Sequence, residues 1–527
     1  METVFSGGLM IAGGAMLQLE GSVKYLLWGG IGFYVVLVLL IGYLSGRKVK
    51  NVQDFLVAGR RLPMWMATAT LLATWFGAGS SMGVAATVYA GGIRDVLADP
   101  FGAAVSLILA GIFLVGILRK MNHMTVTDVV QSRFGTGPAI YASFWMIPVY
   151  VGWLGSQVLG LGVILNLLTG VDLLTAQLIG AAVVLIYTAT GGMWAVTLTD
   201  VVQVALIVAG LVLIVPGAIS EAGGFAAVFQ NPDVDYSLLP AAEQRGSFSG
   251  IVNYTGSWII MGLGCIVGQD LMQRSLSSKD EKVAVSSSIM AGMFYLAIAI
   301  IPITIGLAAK ILLPKWGITD SVMGGDLENQ VMPRIAVGIL GNIHPVILTL
   351  FLSALVSAIM SSADSSLLAA SSLLTKNVIQ PLCPKLTDEK LLKVTRIAAV
   401  LLLALATFLA MKVQSIYMLM TSAWASQLVV VFIPVFAAVY CKKISSKAIW
   451  CSMICSTTVW LGYIFFEAAG RSGSFVEILG DADFNFAMTN GAVYGFAAGL
   501  AAFFAAWAGE RIADKVVPGP ADSPKKD

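Results

Sequence analysis

The chain has 527 residues, of which 58% are hydrophobic and only 11% are charged. This composition excludes an ordinary soluble domain and predicts an all-α polytopic membrane protein. The net charge of +2, without a basic patch interleaved with aromatics, argues against nucleic-acid binding. The five cysteines and two histidines lack the spacing of a metal site or a nucleophile–base pair, so we do not expect an enzyme.

Apolar runs that reach the roughly 20 residues of a bilayer crossing recur along the whole chain. Residues 1–22 are expected to form an external segment that either is cleaved or contains a further span. We predict about 13 transmembrane helices. They are a leading helix at 23–45 and spans at 62–88, 98–118, 138–168, 172–190, 196–219, 248–269, 284–313, 335–375, 394–413, 415–440, 447–467 and 487–509.

The basic residues of the loops predict the orientation in the membrane. With the N-terminus outside, 23 of the 31 Lys and Arg residues, Arg274 among them, lie in inside segments. We therefore predict an external N-terminus and a cytoplasmic tail at 510–527, in the plasma membrane, which is the inner membrane of a bacterium. Two long outside loops, near 220–247 and 314–334, lack a helical apolar period and should cap the outer face. No Walker loop occurs, so we expect no ATP-binding domain in this chain.

The second span contains a break between Ala73 and Gly83, where three glycines in seven residues weaken the helix. Freed carbonyls at Ala73 and Phe76 are suited to a cation. The seventh span has three similar glycines between residues 262 and 268, five spans further along. This spacing predicts a 5+5 inverted repeat, although glycines at either break also serve close helix packing.

The ninth span sets hydroxyls and a carboxylate deep in an apolar run. Ala358, Ser361, Ser362 and Ser365 share one helical face, and such a stripe of oxygens suits a dehydrated cation. Small residues at this spacing equally favour close helix packing. Asp364 shifts the balance towards function, because an ionisable group inside a membrane is costly.

A second acidic position, Asp200, lies near the start of the sixth span. It either caps the helix or, because it lies past Ala195 and inside the apolar run, meets Asp364 and Ser365 of the ninth span. The sequence pattern leaves both interpretations open.

Three segments together resemble the sodium:solute symporter family, which has a LeuT-type fold with an extra leading helix. They are YTATGGMWAVTLTDVVQ (Tyr187–Gln203), GQDLMQRSLSSKD (Gly268–Asp280) and SAIMSSADSSLLAASS (Ser357–Ser372). The resemblance covers residues 23–509. It implies a first five-helix repeat at 62–219, a second at 248–440 and two additional helices at 447–509. It also implies a sodium-coupled secondary active symporter that imports a small organic solute by alternating access.

The resemblance also implies the residues of a main sodium site. These are the carbonyls of Ala73 and Phe76 on the second span, with the Ala358 carbonyl and the Ser361 and Ser362 hydroxyls on the ninth. Sodium is thus the expected coupling ion. In this implied site the second span carries sodium ligands and solute contacts on the same segment, which would couple sodium binding to solute binding.

A second sodium site of some family members maps onto Asp200, Ser361, Asp364 and Ser365. Asp364 departs from the pattern, since those members have a hydroxyl there. Two carboxylates would hold a sodium ion strongly or share a proton. The number of sodium ions stays open, and so does the identity of the cation at this position, which is sodium or a proton.

Within the family, the stretches SSADSS and LATWFGAGS resemble the choline-transporting branch and its bacterial relatives. A quaternary ammonium group needs an aromatic cage. Trp75 and Trp153 fall on two cage-like positions, but Ala103 and Gly268 occupy two others, and the two tryptophans also suit simple packing. Asp99 and Asp270 near the pocket would suit a cationic solute, or either only completes a helix terminus. The predicted substrate-binding residues are Trp75, Gly77, Ser80, Asp99, Trp153, Gln157, Gly268, Gln269 and Gln427.

Other functions stay open on the sequence. The symported solute is a choline-like organic cation or an amino acid, a monocarboxylate or a sugar. A membrane nutrient sensor that retains a transporter fold predicts binding without accumulation, and a channel predicts flux that sodium does not drive. The partners expected in every case are the lipid bilayer and a small solute, and the oligomeric state is undetermined.

Overall fold

The computed structural model describes residues 9–11, 17–19, 21–47, 49, 51–232, 234–318, 327–413, 415–442, 444–468 and 482–516. Two three-residue strands, Leu9–Ile11 and Leu17–Leu19, pair antiparallel, and the other regular elements are helices. Most of the predicted external segment 1–22, part of the loop 314–334 and most of the tail 510–527 lie outside the described residues.

The first half of the chain forms helices whose bounds match most of the predicted spans. They are Gly21–Gly46, Val52–Val57, Ala58–Arg60, Met64–Trp75, Gly79–Gly83, Val84–Ala90, Ile93–Val96, Leu97–Gly102, Ala103–Ala110, Gly111–Val115, Gly116–Met121, Thr127–Phe134, Thr136–Thr169, Leu173–Glu221, Phe225–Phe229 and Ala242–Arg245.

The second half continues in the same way. Its helices are Phe248–Gly262, Gly264–Val267, Gln269–Ser277, Glu281–Lys315, Leu327–Ile343, Pro345–Ser372, Leu373–Ile379, Gln380–Leu382, Asp388–Lys412, Ile416–Ala423, Gln427–Val431, Phe432–Tyr440, Ser446–Ala468 and Ala482–Val516.

Within the described residues, ten helices are long and apolar enough to cross a membrane, and one bent pair makes eleven. The chain is therefore a multi-pass helical membrane protein. Two shorter apolar helices, Leu173–Ile186 and Gln427–Tyr440, fall on two further predicted spans. The full count of 13 and the orientation stay predictions.

The predicted span 335–375 is wrong in its start, because the structure divides this run at His344. One helix ends at Ile343, and Pro345 opens the next one. Proline is favoured in a first helical turn, where its missing N–H would have no partner. The His344 imidazole caps this helix by accepting from the Val346 amide over 3.2 Å.

The predicted spans 172–190 and 196–219 form one helical stretch, Leu173–Glu221, that bends at Gly192. Gly192 has φ +53°, and a Cβ there would lie 2.6 Å from the Phe55 ring. Glycine is therefore required both by the backbone conformation and by the close approach of Phe55.

The two long outside loops are less irregular than the sequence indicates. Short helices, Phe225–Phe229 and Ala242–Arg245, occur within 220–247, and the helix Leu327–Ile343 begins within 314–334. An ion pair between Arg94 and Asp235 ties the first loop to the start of a span.

The core is organised around two elements. The polar helix (Pro345–Ser372) is buried from Phe351 through its last residue and packs on Leu173–Glu221 and Thr136–Thr169. The broken helix (Met64–Trp75 and Gly79–Ala90) bends by 59° at the predicted break and also packs on the polar helix. A third element, the short helix (Gln269–Ser277), packs against both.

Candidate functional site

The break in the broken helix touches the middle of the polar helix. The Ser362 hydroxyl donates to the Thr74 carbonyl over 2.7 Å. The side chain of Gln157 accepts from the Ala78 amide over 2.8 Å. A Cβ on Gly77 would lie 2.2 Å from the Ser362 Oγ and 2.5 Å from the Gln157 Oε1. Glycine at position 77 therefore lets three helices meet at the break.

The residues of the predicted main sodium site are buried around this contact. Phe76 and Ala358 line one small cavity together, and Ala73 directly precedes the Thr74 carbonyl that Ser362 contacts. Backbone carbonyls and hydroxyls are the donors that a hard cation takes. The Ser361 hydroxyl is turned elsewhere in this structure, towards a neighbouring carboxylate.

That carboxylate belongs to a buried group that we call the carboxylate cluster (Asp200, Ser361, Asp364 and Ser365). Ser361 donates to one oxygen of Asp200 over 2.5 Å. The Ser365 hydroxyl lies 2.5 Å from the Ser361 carbonyl and 3.0 Å from an oxygen of Asp364. The structure thus brings together all four residues of the predicted second ion position, and it places Asp200 inside the core, away from a helix end.

Two residues that the sequence interpretation missed complete the carboxylate cluster. Thr70 of the broken helix donates to the other oxygen of Asp200. Arg274 of the short helix donates to the Ser365 hydroxyl and is fully buried. The charge count placed Arg274 in an inside segment, and the structure corrects this assignment. The signal in the sequence was its position one helical turn after Asp270.

A second group, the aromatic cluster (Trp75, Tyr150, Trp153 and Trp424), includes two rings that hydrogen-bond to the Asp270 carboxylate. Ring centroids are 5.3 Å apart for Trp153 and Trp424 and 6.0 Å apart for Trp75 and Trp424. The Trp75 indole donates to one oxygen of Asp270 over 2.6 Å, and the Tyr150 hydroxyl donates to the other over 2.8 Å. Trp75 and Tyr150 therefore hold the Asp270 carboxylate in a fixed position, and the rings of Trp153 and Trp424 pack against them.

Ala103 and Gly268 leave the aromatic cage incomplete in the sequence, and Tyr150 and Trp424 add two further rings beside Trp75 and Trp153. Trp424 lies where the helix Ile416–Ala423 ends, a break that has no glycine to indicate it. Gly268 has a different role, since a Cβ there would lie 2.9 Å from the Asp270 carboxylate.

Gln427 joins the aromatic cluster by donating to the Tyr150 hydroxyl over 3.3 Å. Gln269 lies outside it, although it was predicted to bind the solute. The Gln269 side chain accepts from the Val126 amide over 2.9 Å and donates to the Ser372 hydroxyl over 3.4 Å.

Asp99 and Ser80 lie on the other side of the break. The Tyr295 hydroxyl donates to Asp99 over 2.5 Å, and the Ser80 hydroxyl lies 2.6 Å from the same carboxylate and 2.8 Å from the Trp75 carbonyl. This arrangement stabilises the unwound backbone at the Trp75 carbonyl.

A cavity of about 200 Å³ reaches the aromatic cluster, and Trp424 forms part of its wall. Other parts of the wall come from Arg94 and from Gln244 of the loop 220–247. A small solute that enters this cavity would contact the aromatic cluster at Trp424.

Comparisons with known proteins agree with one another. A model of the Sodium:solute symporter family matches residues 55–455. The High-affinity choline transporter 1 of Drosophila melanogaster is 30% identical over 81% of this chain and 68% of its own length. The Sodium/glucose cotransporter of Vibrio parahaemolyticus is 26% identical over 75% of this chain and 76% of its own length.

A solved structure of a Na+-coupled sialic acid symporter in a substrate-bound outward-open state superposes with a TM-score of 0.73. The two sequences are 18% identical, and the match covers 90% of this chain and 97% of the other. At this identity the likeness concerns the fold.

Proposed function

Because the chain belongs to the sodium:solute symporter family, we propose that it imports a small organic cation of the quaternary-ammonium type by sodium-coupled symport. Sodium is the coupling ion of the family, and its members carry small solutes. The choice of a cation rests on one observation, the Asp270 carboxylate held by two rings of the four-ring aromatic cluster.

The chemistry of the aromatic cluster favours a cation over the other solutes considered. An aromatic face attracts a cation, with a gain of roughly 0.5–2 kcal/mol per contact. The negative charge of Asp270 would repel an anionic monocarboxylate. Its oxygens already accept from Trp75 and Tyr150, so the carboxylate needs no reorganisation on binding. The similarity to choline transporters supports the same solute class.

Coupling follows from the position of Trp75 at the break. We assign the main sodium site to the carbonyls of Ala73, Phe76 and Ala358 with the hydroxyls of Ser361 and Ser362. A sodium ion there would fix the unwound segment, and with it the Trp75 ring that faces the solute. Binding of the two ligands is then cooperative, since each pays part of the cost of ordering the same segment.

In the transport cycle we propose that the repeats at 62–219 and 248–440 move against each other around these sites. Gly77 and Gln157 act at the break, Gln427 and Gly268 support the aromatic cluster, and Ser80 and Asp99 support the unwound backbone. The leading helix 23–45 and the two helices at 447–509 lie outside the moving core. The protein works in the plasma membrane, with an external N-terminus.

The test is uptake into proteoliposomes with an imposed sodium gradient, using choline, a betaine, proline, glucose and lactate as solutes. Choline or another quaternary ammonium should accumulate only when sodium is present. Trp424→Leu should raise the KM for that solute about tenfold, which corresponds to one lost cation–π contact. Trp460→Leu is the matched control, because Trp460 is buried elsewhere, in the helix Ser446–Ala468.

Other outcomes contradict defined parts of the proposal. Sodium-driven accumulation of glucose or lactate alone would refute the solute class and leave symport intact. Flux without accumulation would indicate a channel. Sodium-dependent stabilisation by a ligand that is never transported would indicate a sensor.

A further inference from the structure

We propose that the guanidinium of Arg274 is a resident cation of the carboxylate cluster and takes the place of a second sodium ion. Each transport cycle then carries one sodium ion, at the break. This inference rests on the proposed function, because it counts the ions of that same cycle.

The first step is the position of the charge. Arg274 is fully buried, and one terminal nitrogen of its guanidinium donates to the Ser365 hydroxyl. Ser365 is one of the four oxygen-bearing residues that would have to bind a second sodium ion, together with Asp200, Ser361 and Asp364. Arg274 also interacts electrostatically with Asp200. The positive charge therefore lies beside one of the four residues that the second ion would need.

The second step is competition. Arginine keeps its charge under all physiological conditions, so the guanidinium repels another cation at close range. Its hydrogen bond also uses the Ser365 oxygen. The hydroxyls of Thr70 and Ser361 occupy the two oxygens of Asp200. A sodium ion would have to displace these bonds and approach the guanidinium.

The third step is the connection with the solute pocket. Arg274 lies one helical turn after Asp270, and its other terminal nitrogen donates to the Asp270 carbonyl over 3.3 Å. The Asp270 side chain holds Trp75 and Tyr150 of the aromatic cluster. The Nε of Arg274 is buried and has no hydrogen-bond partner among the described residues. This donor is available to a carboxylate when the cluster rearranges, so the guanidinium is suited to a role in the cycle as well as in the fold.

The experiment counts sodium ions in purified wild-type protein and in Arg274 variants. Radioactive sodium is bound at equilibrium, and the sodium dependence of solute uptake is measured in proteoliposomes. Wild type should bind one ion and give a Hill coefficient of about 1. Arg274→Met vacates the position, so a second ion should bind and the Hill coefficient should rise towards about 2. Arg274→Lys keeps the positive charge and should still bind one sodium ion, with a Hill coefficient of about 1.

A double variant tests whether the second ion of Arg274→Met depends on Asp200. Arg274→Met leaves carboxylates uncompensated, whereas Arg274→Met with Asp200→Asn removes one charge of each sign and should bind a single ion. Two sodium ions bound per wild-type protein would overturn the proposal. It would also be overturned if folded Arg274→Met bound a single sodium ion with the same Hill coefficient as wild type. Either result leaves sodium-driven uptake intact. Wild type that accumulates no solute in a sodium gradient would instead contradict the proposed function.

Discussion

The serines of the polar helix differ in what their hydroxyls contact, and this separates functional from structural positions. Ser362 donates across to the break in the broken helix, and Ser361 donates to Asp200. Ser366 and Ser371 donate only to carbonyls of their own helix. A hydroxyl that bonds its own helix is satisfied without any ligand. The two interhelical hydroxyls are therefore the ones we expect to change with sodium.

Replacing Ser362 by alanine should weaken sodium binding. The variant loses one of the oxygen ligands that we assign to the ion, and a bond to a charged group is worth about 1.5–3 kcal/mol. The sodium concentration for half-maximal uptake should rise at least about tenfold. Ser366→Ala is the matched control, because it removes the same group one turn away. An unchanged sodium titration in Ser362→Ala would refute this placement of the site.

Residue spacing predicted the polar face of this helix but not its partners. Ser361, Ser362 and Ser365 follow a helical period, and period alone brings them to one side. The partners Arg274 and Trp424 come from elements distant in the chain, and nothing in the local pattern distinguishes a buried arginine from one in a loop. The structure identifies them because tertiary packing sets their environment.

At the scale of elements, the break in the broken helix determines how closely its neighbours approach. The glycine run indicated this break in the sequence, and the bend occurs there. The start of the polar helix was not indicated in the same way. An apolar run continues across His344, and only Pro345 indicates that a new helix begins. Hydropathy shows how long an apolar run is, but it does not show whether one helix or two helices form that run.

Gly77→Ala should disable transport by separating the helices at the break. The added methyl would overlap the Ser362 Oγ and the Gln157 Oε1, so at least one of these contacts must open. We expect loss of the sodium-dependent rise in melting temperature, which reports binding by mass action. Gly32→Ala in the leading helix is the control, because nothing lies within 4 Å of its added methyl. Retained stabilisation by sodium in Gly77→Ala would contradict a role for this close approach.

A set of hydrogen bonds, which we call the latch (Leu62, Arg119, Ser277, Ser278 and Lys279), ties the start of the broken helix to the end of the short helix. Leu62 exchanges backbone bonds with Ser277 and Lys279, at 3.0 and 2.9 Å. The Arg119 guanidinium donates to the carbonyls of Ser278 and Lys279 over 2.8 and 3.1 Å. The latch joins one element from each predicted repeat, so it must open when the repeats separate.

Arg119→Ala should loosen the latch without removing any sodium or solute contact. Loss of bonds from a charged donor, worth about 1.5–3 kcal/mol, should speed hydrogen exchange at the Leu62 and Lys279 amides at least about tenfold. Arg133→Ala is the control, since Arg133 bonds carbonyls of residues 441 and 442 in the same manner. Equal exchange in both variants would show that Arg119 does not hold the latch.

At the scale of the whole molecule, one predicted span, 248–269, lies along the chain between Gln244 in the wall of the cavity beside Trp424 and Lys279 in the latch. The cavity wall includes Gln244 of a loop predicted outside, and the latch includes Lys279 of a segment predicted inside. With the predicted orientation, the cavity beside Trp424 would face the outside and the latch would lie on the cytoplasmic side. Orientation therefore decides whether the aromatic cluster receives its solute from outside, as an importer requires.

Cys383 gives a direct test of this orientation. It is exposed, and it lies in the connection after the polar helix, which the distribution of Lys and Arg places inside. In intact right-side-out cells, a variant whose only cysteine is Cys383 should resist a membrane-impermeant maleimide and react once the membrane is opened. Glu243→Cys, in the exposed helix Ala242–Arg245, should react from the outside without permeabilisation. The reverse labelling pattern would show that the N-terminus lies inside. The cavity beside Trp424 would then receive solute from the cytoplasm. The structure would in that case be that of an exporter or of an inward-open state.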